Sequence, residues 1–144
     1  EKDFQQILVI RKVIKDFNFD VKVKTVPIIR GPGGIALSSR NQHIKNTSSL
    51  KKVYNCISEI KKKIDQNNFY MKELDYIKDD LIKSGICKVN YLDILSESDL
   101  NELTSKACRC RVFISCNIQG INVIDNLSLK KVYLTKGGKL MISS

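Results

Sequence analysis

Hydrophobic residues recur with helical spacing in three parts of the chain. Residues 3–17 place an apolar side chain about every 3.6 positions with charged residues between, which predicts an amphipathic helix. The stretches 50–65 and 69–84 have the same spacing, and we interpret their apolar stripes as core surfaces. For the first helix we expect Asp3 as the N-cap, with Gln6 in a capping-box position.

The remaining boundaries of these helices also have sequence signals. Thr47, Ser48 and Ser49 are candidate caps for the second helix, because their hydroxyls can accept from free backbone N–H groups. Gly85 follows the third apolar stripe and is expected at the position just past the helix end.

Strand patterns lie between and after the helices. Residues 21–26 alternate apolar and polar side chains, and Pro27, which cannot donate to a ladder, ends that predicted strand. Residues 86–95 predict a second strand, and Ser96-x-x-Asp99 predicts a short helix through Leu103.

The last third of the sequence predicts a β-hairpin. Its arms are expected at residues 111–115 and 121–124, joined by a turn at 117–120. The tail beyond Asp125-Asn126 is compatible with either another strand or a loose end.

Composition narrows the class of protein. The chain has 144 residues, enough for one domain or for one domain and part of another. It starts at Glu1, so we expect it to be part of a longer protein. No apolar run approaches the roughly 20 residues of a membrane span. The N-terminus lacks a signal-peptide pattern, and the five cysteines lack Cys-x-x-Cys spacing, which favours reduced thiols in a cytoplasmic compartment.

The net charge of +10 predicts attraction to anions, including nucleotides and nucleic acids. The lysines are spread along helical segments, as on a solvated face, and few aromatics lie among them. A basic, non-enzymatic anion- or nucleic-acid-binding module is therefore kept as the alternative. Cys108-Arg109-Cys110 resembles half of a metal knuckle, but no second pair completes it and the single histidine, His43, is distant, so we predict no metal site.

The stretch 26–41 is the main candidate for binding chemistry. It follows a predicted strand and contains a Gly/Pro loop, after which Ser38, Ser39 and Arg40 come in succession. Serine hydroxyls and an arginine fork can donate to phosphate oxygens. Loops of Gly, Pro and Ser are also ordinary connections between elements, and the residues alone fit both interpretations.

The start of the first helix gives a second signal. Lys2 directly precedes the expected cap, where a positive charge opposes the helix macrodipole unless an anion is also present. A bound phosphate would supply that anion. Helix, strand and glycine loop in this order are typical of half of an α/β nucleotide-binding layout.

Four blocks of the sequence resemble the pantoate–β-alanine ligase family. They are Glu1-Lys2-Asp3-Phe4-Gln5-Gln6, Val26-Pro27, Ile35-Ala36-Leu37-Ser38-Ser39-Arg40-Asn41 and Ile124-Asp125-Asn126. The resemblance covers the later half of that enzyme; the family's front half, with its two-histidine ATP loop, is not matched, and His43 corresponds to neither histidine. It implies an α/β fold with a C-terminal remnant of a Rossmann-type ATP- and pantoate-binding domain over 1–40. A small α+β lid domain of helices on an antiparallel sheet would follow over 41–144.

The resemblance also implies a reaction. The family joins pantoate to β-alanine using ATP and Mg²⁺, through a pantoyl adenylate from which the β-alanine amine displaces AMP. It further implies a cytoplasmic enzyme, commonly a homodimer, that needs the missing N-terminal half. Without that half we expect the 144 residues to be inactive alone.

Matching positions carry over the family's site. The residues implied to bind ATP are Glu1, Lys2, Asp3, Ile29, Leu37, Ser38, Ser39 and Arg40. Among them, Lys2, Ser38, Ser39 and Arg40 are implied to stabilise the reacting phosphates, and Gln6 is implied to bind pantoate. One position departs from the family pattern: Gly33 stands where an Asp is usual, which makes the stiffness of this loop uncertain.

Overall fold

The protein is described here by a computed structural model that covers residues 1–86 and 88–144. Three helices and five strands follow one another within these described residues. They are α1 (Phe4–Asp16), α2 (Thr47–Asp65), β1 (Phe69–Tyr70), α3 (Glu73–Lys83), β2 (Lys88–Ser96), β3 (Cys108–Ile118), β4 (Ile121–Leu134) and β5 (Lys139–Ile142). Short 3₁₀ turns at Pro32–Gly34 and Arg40–His43 lie in the loop between α1 and α2.

The strands form one antiparallel sheet in the order β1-β5-β4-β3-β2. Register shifts between Val89 and Tyr91 and between Arg109 and Arg111 mark bulges, which bend and twist the strands that carry them. The α/β class and the small antiparallel sheet with helices packed on it are confirmed.

The core lies between this sheet and the helices α2 and α3. α2 packs on β3 and β4 through a buried stripe that includes Ile57, Ile60 and Ile64. In β3 the even-numbered side chains from Cys110 to Cys116 join that core, while Arg111 and Phe113 lie on the other face, against Phe4 at the start of α1. Phe4 of α1 packs on Phe113 with ring centroids 5.8 Å apart, so both faces of β3 are covered.

Several predicted elements are confirmed, and their ends are now defined. The helix over 3–17 is α1, and the hairpin is the β3–β4 pair, although both strands run well beyond the predicted arms. Gly85 follows the end of α3 with φ +100°, as a residue just past a helix often does. The tail adds a strand, because β4 continues to Leu134 and β5 pairs with it.

Four local predictions were wrong, each for a nearby physical reason. Residues 21–26 form no strand, since no described residue pairs with them. Ser96 to Leu103 is a turn rather than a helix, because Leu100 takes φ +58° and Glu102 bridges back to Leu95. α2 is capped by Asn46, whose side chain accepts from Ser48 N at 3.1 Å. The third helix starts later than predicted, because Phe69–Tyr70 pairs with β5 as β1.

The predicted capping box of α1 is also absent. Asp3 occupies the N-cap position, yet its side chain makes no capping hydrogen bond. Gln6 is exposed within the first turn. Local helix capping therefore does not account for either residue type at these positions.

The apolar stripe of α1 differs from those of α2 and α3. Only Phe4 is buried, whereas Val9 is 62% exposed and Ile10, Val13 and Phe17 are exposed as well. Within the described residues no element packs over this side of the helix, and the extended segment 19–29 beside it exposes Val26 (70%). α1 and this segment together form an exposed apolar face.

The cysteines are reduced thiols wherever they are described. Cys56, Cys108, Cys110 and Cys116 form no disulfide, and no group of three or more metal-ligating side chains is found within residues 1–86 and 88–144. Burial raises the pKa of Cys56 and Cys110 to about 12 and that of Cys116 to about 11. Cys87, inside the predicted strand 86–95, lies outside the described residues.

No helix in the part of the chain that the structure describes is both long enough and apolar enough to cross a bilayer.

Candidate functional site

The two candidate segments meet in space. The Lys2 ammonium, at the start of α1, donates to the backbone carbonyl of Leu37 across 3.4 Å. A groove of about 400 Å³ lies between them. We call it the helix–loop groove; its lining is Glu1, Lys2, Asp3, Gln6, Ile7, Ile10, Val26, Pro27, Ile28, Ile29 and Leu37.

Six of the nine predicted site residues line this groove: Glu1, Lys2, Asp3, Gln6, Ile29 and Leu37. Ile29 and Leu37 are 72% and 57% exposed, and they are joined by a hydrogen bond from Leu37 N to Ile29 O of 2.9 Å. Two exposed apolar side chains therefore lie beside a charged helix start, and a planar, partly apolar ligand could contact both features.

The other three predicted residues continue along the loop. Ser38 and Ser39 line an adjoining cavity of about 530 Å³ that also includes Leu37. Ser38 Oγ accepts from Arg40 N at 3.3 Å, and Arg40 itself is exposed. Because Leu37 lines both spaces, a ligand longer than the groove could reach these residues.

The electrostatics of the site centre on Lys2. Its pKa is lowered from the usual value, chiefly because partial burial disfavours the charged ammonium. Arg40 adds to the lowering, while the carboxylates of Asp3 and Asp125 oppose it. An anion bound between Lys2 and Arg40 would relieve both the desolvation and the repulsion, so the site is suited to phosphate.

The loop that carries Ser38 to Arg40 is fixed at its base by Arg30. The Arg30 guanidinium binds both carboxylate oxygens of Asp125, at 2.8 and 2.9 Å, and donates to Gly34 O at 2.9 Å. It also stacks on the ring of Tyr54, with its carbon 4.7 Å from the ring centroid. Further along, Asn41 Nδ2 donates to Ala36 O at 2.9 Å and closes the loop on itself.

Glycine is required where this loop crosses α2. Gly34 has φ +77°, and an added Cβ would overlap the ring of Tyr54. Gly33, the position where the family usually has Asp, also has a positive φ, of +72°, and lies against the flexible side chain of Lys51. The close packing of Gly34 on Tyr54 brings the loop down onto the helix.

The start of α1 is held by the sheet. Asn126 Nδ2 donates to the carbonyls of Glu1 and Lys2, at 3.2 and 3.0 Å, and its Oδ1 accepts from Arg111. Arg111 in turn lies over the Phe4 ring and binds Glu97 through Nε at 3.0 Å.

Sequence reasoning missed these supporting residues. Arg30, Arg111, Asp125 and Asn126 were assigned no contact in the site, although Asp125-Asn126 was noted as part of a resemblance. The available signal is two consecutive polar residues between Val123-Ile124 and Leu127, where the sequence analysis predicts the end of a strand. In the structure they lie inside β4 and are both buried.

Comparisons with known proteins show the family of the chain. The family model described as Pantoate-beta-alanine ligase matches residues 1–128. The pantothenate synthetase of Wigglesworthia glossinidia brevipalpis is 33% identical over 139 residues, covering 90% of this chain and 48% of the relative. That of Cytophaga hutchinsonii is 31% identical over 132 residues, covering 88% and 47%.

Solved structures give the same result. The pantothenate synthetase of Thermus thermophilus superposes with a TM-score of 0.77 at 27% identity, covering 88% of this chain and 47% of the other. The pantoate-beta-alanine ligase of Francisella tularensis, complexed with beta-gamma ATP and beta-alanine, gives 0.61 at 27% identity, covering 89% and 41%. The chain thus spans about half the length of the relatives it matches. Since the family match covers most of its residues, the chain belongs to the pantoate–beta-alanine ligase family.

Proposed function

We propose that this chain supplies the later half of an ATP-dependent ligase that joins pantoate to β-alanine through a pantoyl adenylate. The observation that carries the proposal is the contact between Lys2 and the Leu37 carbonyl, because Leu37 lines both the helix–loop groove and the adjoining cavity of Ser38 and Ser39. A relative solved with beta-gamma ATP and beta-alanine supports nucleotide binding in this family. Family membership also weighs against the alternative of a non-enzymatic nucleic-acid-binding module.

In the first step, a carboxylate oxygen of pantoate attacks the α-phosphorus of ATP, and pyrophosphate leaves. Negative charge builds on the phosphoryl oxygens, and Lys2 neutralises it from one side of the groove. Ser38 and Ser39 donate hydroxyl hydrogen bonds to the phosphates, and Arg40 holds the departing pyrophosphate. Asp3, which makes no capping bond, accepts from a ribose hydroxyl.

In the second step, the amine of β-alanine attacks the acyl carbon of pantoyl adenylate, a C–N bond forms, and AMP leaves. Gln6 lines the groove and can both donate to and accept from pantoate. Glu1, Ile29 and Leu37 complete the nucleotide contacts on the adenine side. Positioning of this kind can account for a large part of the rate enhancement of such a reaction.

Within residues 1–86 and 88–144 no three carboxylate, imidazole or thiol groups gather as ligands. Mg²⁺ used with ATP takes most of its ligands from phosphate oxygens and water, and we propose that the ion enters with the nucleotide.

The domain organisation follows from the same proposal. Residues 1–40 would complete a Rossmann-type domain formed mostly by the N-terminal half of the enzyme, and residues 41–144 would form the lid. The exposed apolar face of α1 and segment 19–29 supports this assignment, since such a surface is the kind that a missing half covers. The complete enzyme would then pair as a homodimer, as the resemblance implies.

The test is pantothenate formation by the complete enzyme. With ATP, pantoate and β-alanine, we expect AMP and pantothenate to appear in equal amounts, measured by coupled AMP assay and mass spectrometry. The isolated 144 residues should release no AMP, because charge on the transferring phosphate is then stabilised from one side only. AMP release by the isolated chain that depends on β-alanine would contradict the need for a second half.

Gln6→Glu separates a substrate role from a helical one. We expect its free energy of unfolding to stay within about 0.5 kcal/mol of the wild type, since Gln6 is an exposed residue in a helical turn. In the complete enzyme its KM for pantoate should rise at least about tenfold, because the new carboxylate faces the substrate carboxylate. Gln5→Glu, an exposed neighbour outside the lining of the groove, is the control. An unchanged KM for pantoate would remove Gln6 from the site.

A further inference from the structure

Asp125 and Asn126 are consecutive residues of β4 that bind the two halves of the helix–loop groove separately. Asp125 holds the guanidinium of Arg30, at the base of the loop, with both carboxylate oxygens. Asn126 donates to the backbone carbonyls of Glu1 and Lys2. Both side chains are almost fully buried, at 4% and 2% exposed, so these bonds are shielded from competing water.

The alternation of a β-strand explains how two neighbours can reach different segments. Successive side chains of a strand point to opposite faces of the sheet. Asp125 meets Arg30 on the side where Arg30 stacks on Tyr54 of α2. Asn126 meets Arg111 on the side where Arg111 lies over Phe4 of α1.

The backbone of β4 strengthens the connection. Around residues 125–126 this strand pairs with β3, while β5 pairs only with residues 132–134. Arg30 donates to the carbonyl of Asn126 at 3.1 Å, so the loop is bound to the backbone of β4 as well as to a side chain. Asn126 N also donates to Asp125 Oδ1 at 2.7 Å, which orients the carboxylate.

We propose that Asp125 and Asn126 are positioning residues that set the distance between the helix start, with Lys2, and the Ser38–Arg40 loop. Neither residue lines the helix–loop groove. Each fixes a backbone segment whose side chains do, and because they are adjacent in one strand, the two segments cannot shift independently. The kinetic test of this inference rests on the proposed ligase function, whereas the hydrogen-exchange test does not.

Asn126→Asp is the informative variant, with Asn122→Asp as its matched control in the same strand. Aspartate keeps the oxygen that accepts from Arg111 but cannot donate to the carbonyls of Glu1 and Lys2. Asn122 uses its Oδ1 to accept from Asn90 and Ser115, so the same substitution there leaves the groove untouched. Asp125→Asn removes the charge that holds Arg30 and tests the second connection.

In the complete enzyme, Asn126→Asp should lower kcat/KM for ATP about 10- to 100-fold, the range expected for displacement of positioned groups. Its effect should combine less than multiplicatively with that of Lys2→Met, because Lys2 is already displaced. Asn122→Asp should combine multiplicatively with Lys2→Met. A wild-type kcat/KM in Asn126→Asp, or multiplicative behaviour with Lys2→Met, would overturn the proposal.

Hydrogen exchange tests the same proposal without catalysis. In Asn126→Asp the amide of Ile7, bonded to Asp3 O, should exchange faster, and in Asp125→Asn so should the amide of Leu37, bonded to Ile29 O. Asn122→Asp should alter neither amide. If the wild-type enzyme forms no pantothenate, the proposed function fails, and the exchange rates still decide the positioning role. Unchanged exchange at both amides would refute that role.

Discussion

Replacing Lys2 by methionine should lower kcat of the complete ligase by about 100- to 1,000-fold, the usual cost of removing one preorganised charge-stabilising donor. Methionine keeps most of the length and the apolar stem of the side chain and removes its charge. Lys2 is held at the groove by its bond to the Leu37 carbonyl. No other lysine or arginine is among the described residues that line the groove. The measurement is steady-state AMP release at saturating ATP and pantoate.

Lys12→Met is the control for this prediction. Lys12 lies on α1, 2.8 Å from Asp16 on an exposed face. Its loss should leave kcat within twofold, which corresponds to a change of about 0.4 kcal/mol in activation free energy. The pH profile gives a second check. The pKa of Lys2 is lowered by burial, so the alkaline fall of kcat/KM, which reports the free enzyme, should begin below the usual lysine value of 10.5. Bound phosphate should move the fall of kcat to higher pH. A Lys2→Met enzyme with more than a third of wild-type kcat would exclude this role.

Gly34→Ala should destabilise the chain by about 2 to 5 kcal/mol. About 1–2 kcal/mol comes from placing a side chain at φ +77°, and the rest from overlap of the new Cβ with the Tyr54 ring. The ring is not free to move away, because Arg30 stacks on it and is itself bound to Asp125. Urea unfolding followed by circular dichroism measures the loss.

Gly138→Ala separates conformation from overlap. Gly138 has φ +78°, and a Cβ there would meet nothing within 4 Å. It should therefore cost only the conformational part, about 1–2 kcal/mol. Adding Tyr54→Ala to Gly34→Ala should recover part of the loss, since the overlap disappears. Equal losses in the two single glycine variants would show that the contact with Tyr54 is unimportant.

The parts of the fold that could be predicted are those whose sequence signal lies within one continuous segment. α2 was predicted from its stripe because one side of that helix packs on the sheet, and the β3–β4 hairpin from the turn at 117–120. The strand at 21–26 has an equally regular pattern, yet a strand needs a neighbour, and no described residue pairs with this segment. The turn after Ser96 depended on the positive φ of Leu100, which its residue type does not favour.

The candidate site also has a part that could be predicted, the residues implied to contact ligand, and a part that could not, the residues that support them. The residues implied to touch ligand could be named because two short segments, near residues 1–6 and 29–40, resemble the family's motifs position by position. Their supports could not, because Arg30 and Asp125 are 95 positions apart in the sequence, and their ion pair exists only once the sheet has formed. A long-range pair of opposite charges has no periodic signal in a single sequence.

The bonds from Asn126 to Glu1 and Lys2 have a consequence for how the protein is made. They join residues 125 and 124 positions apart, so all of residues 1–126 must leave the ribosome before they can form. α1 exposes most of its apolar residues. At about 5–20 residues per second, the 125 positions between Glu1 and Asn126 take about 6 to 25 seconds to be synthesised. During that interval the start of α1 is a nascent segment without its final partner, and a chaperone has time to bind it before β4 is complete.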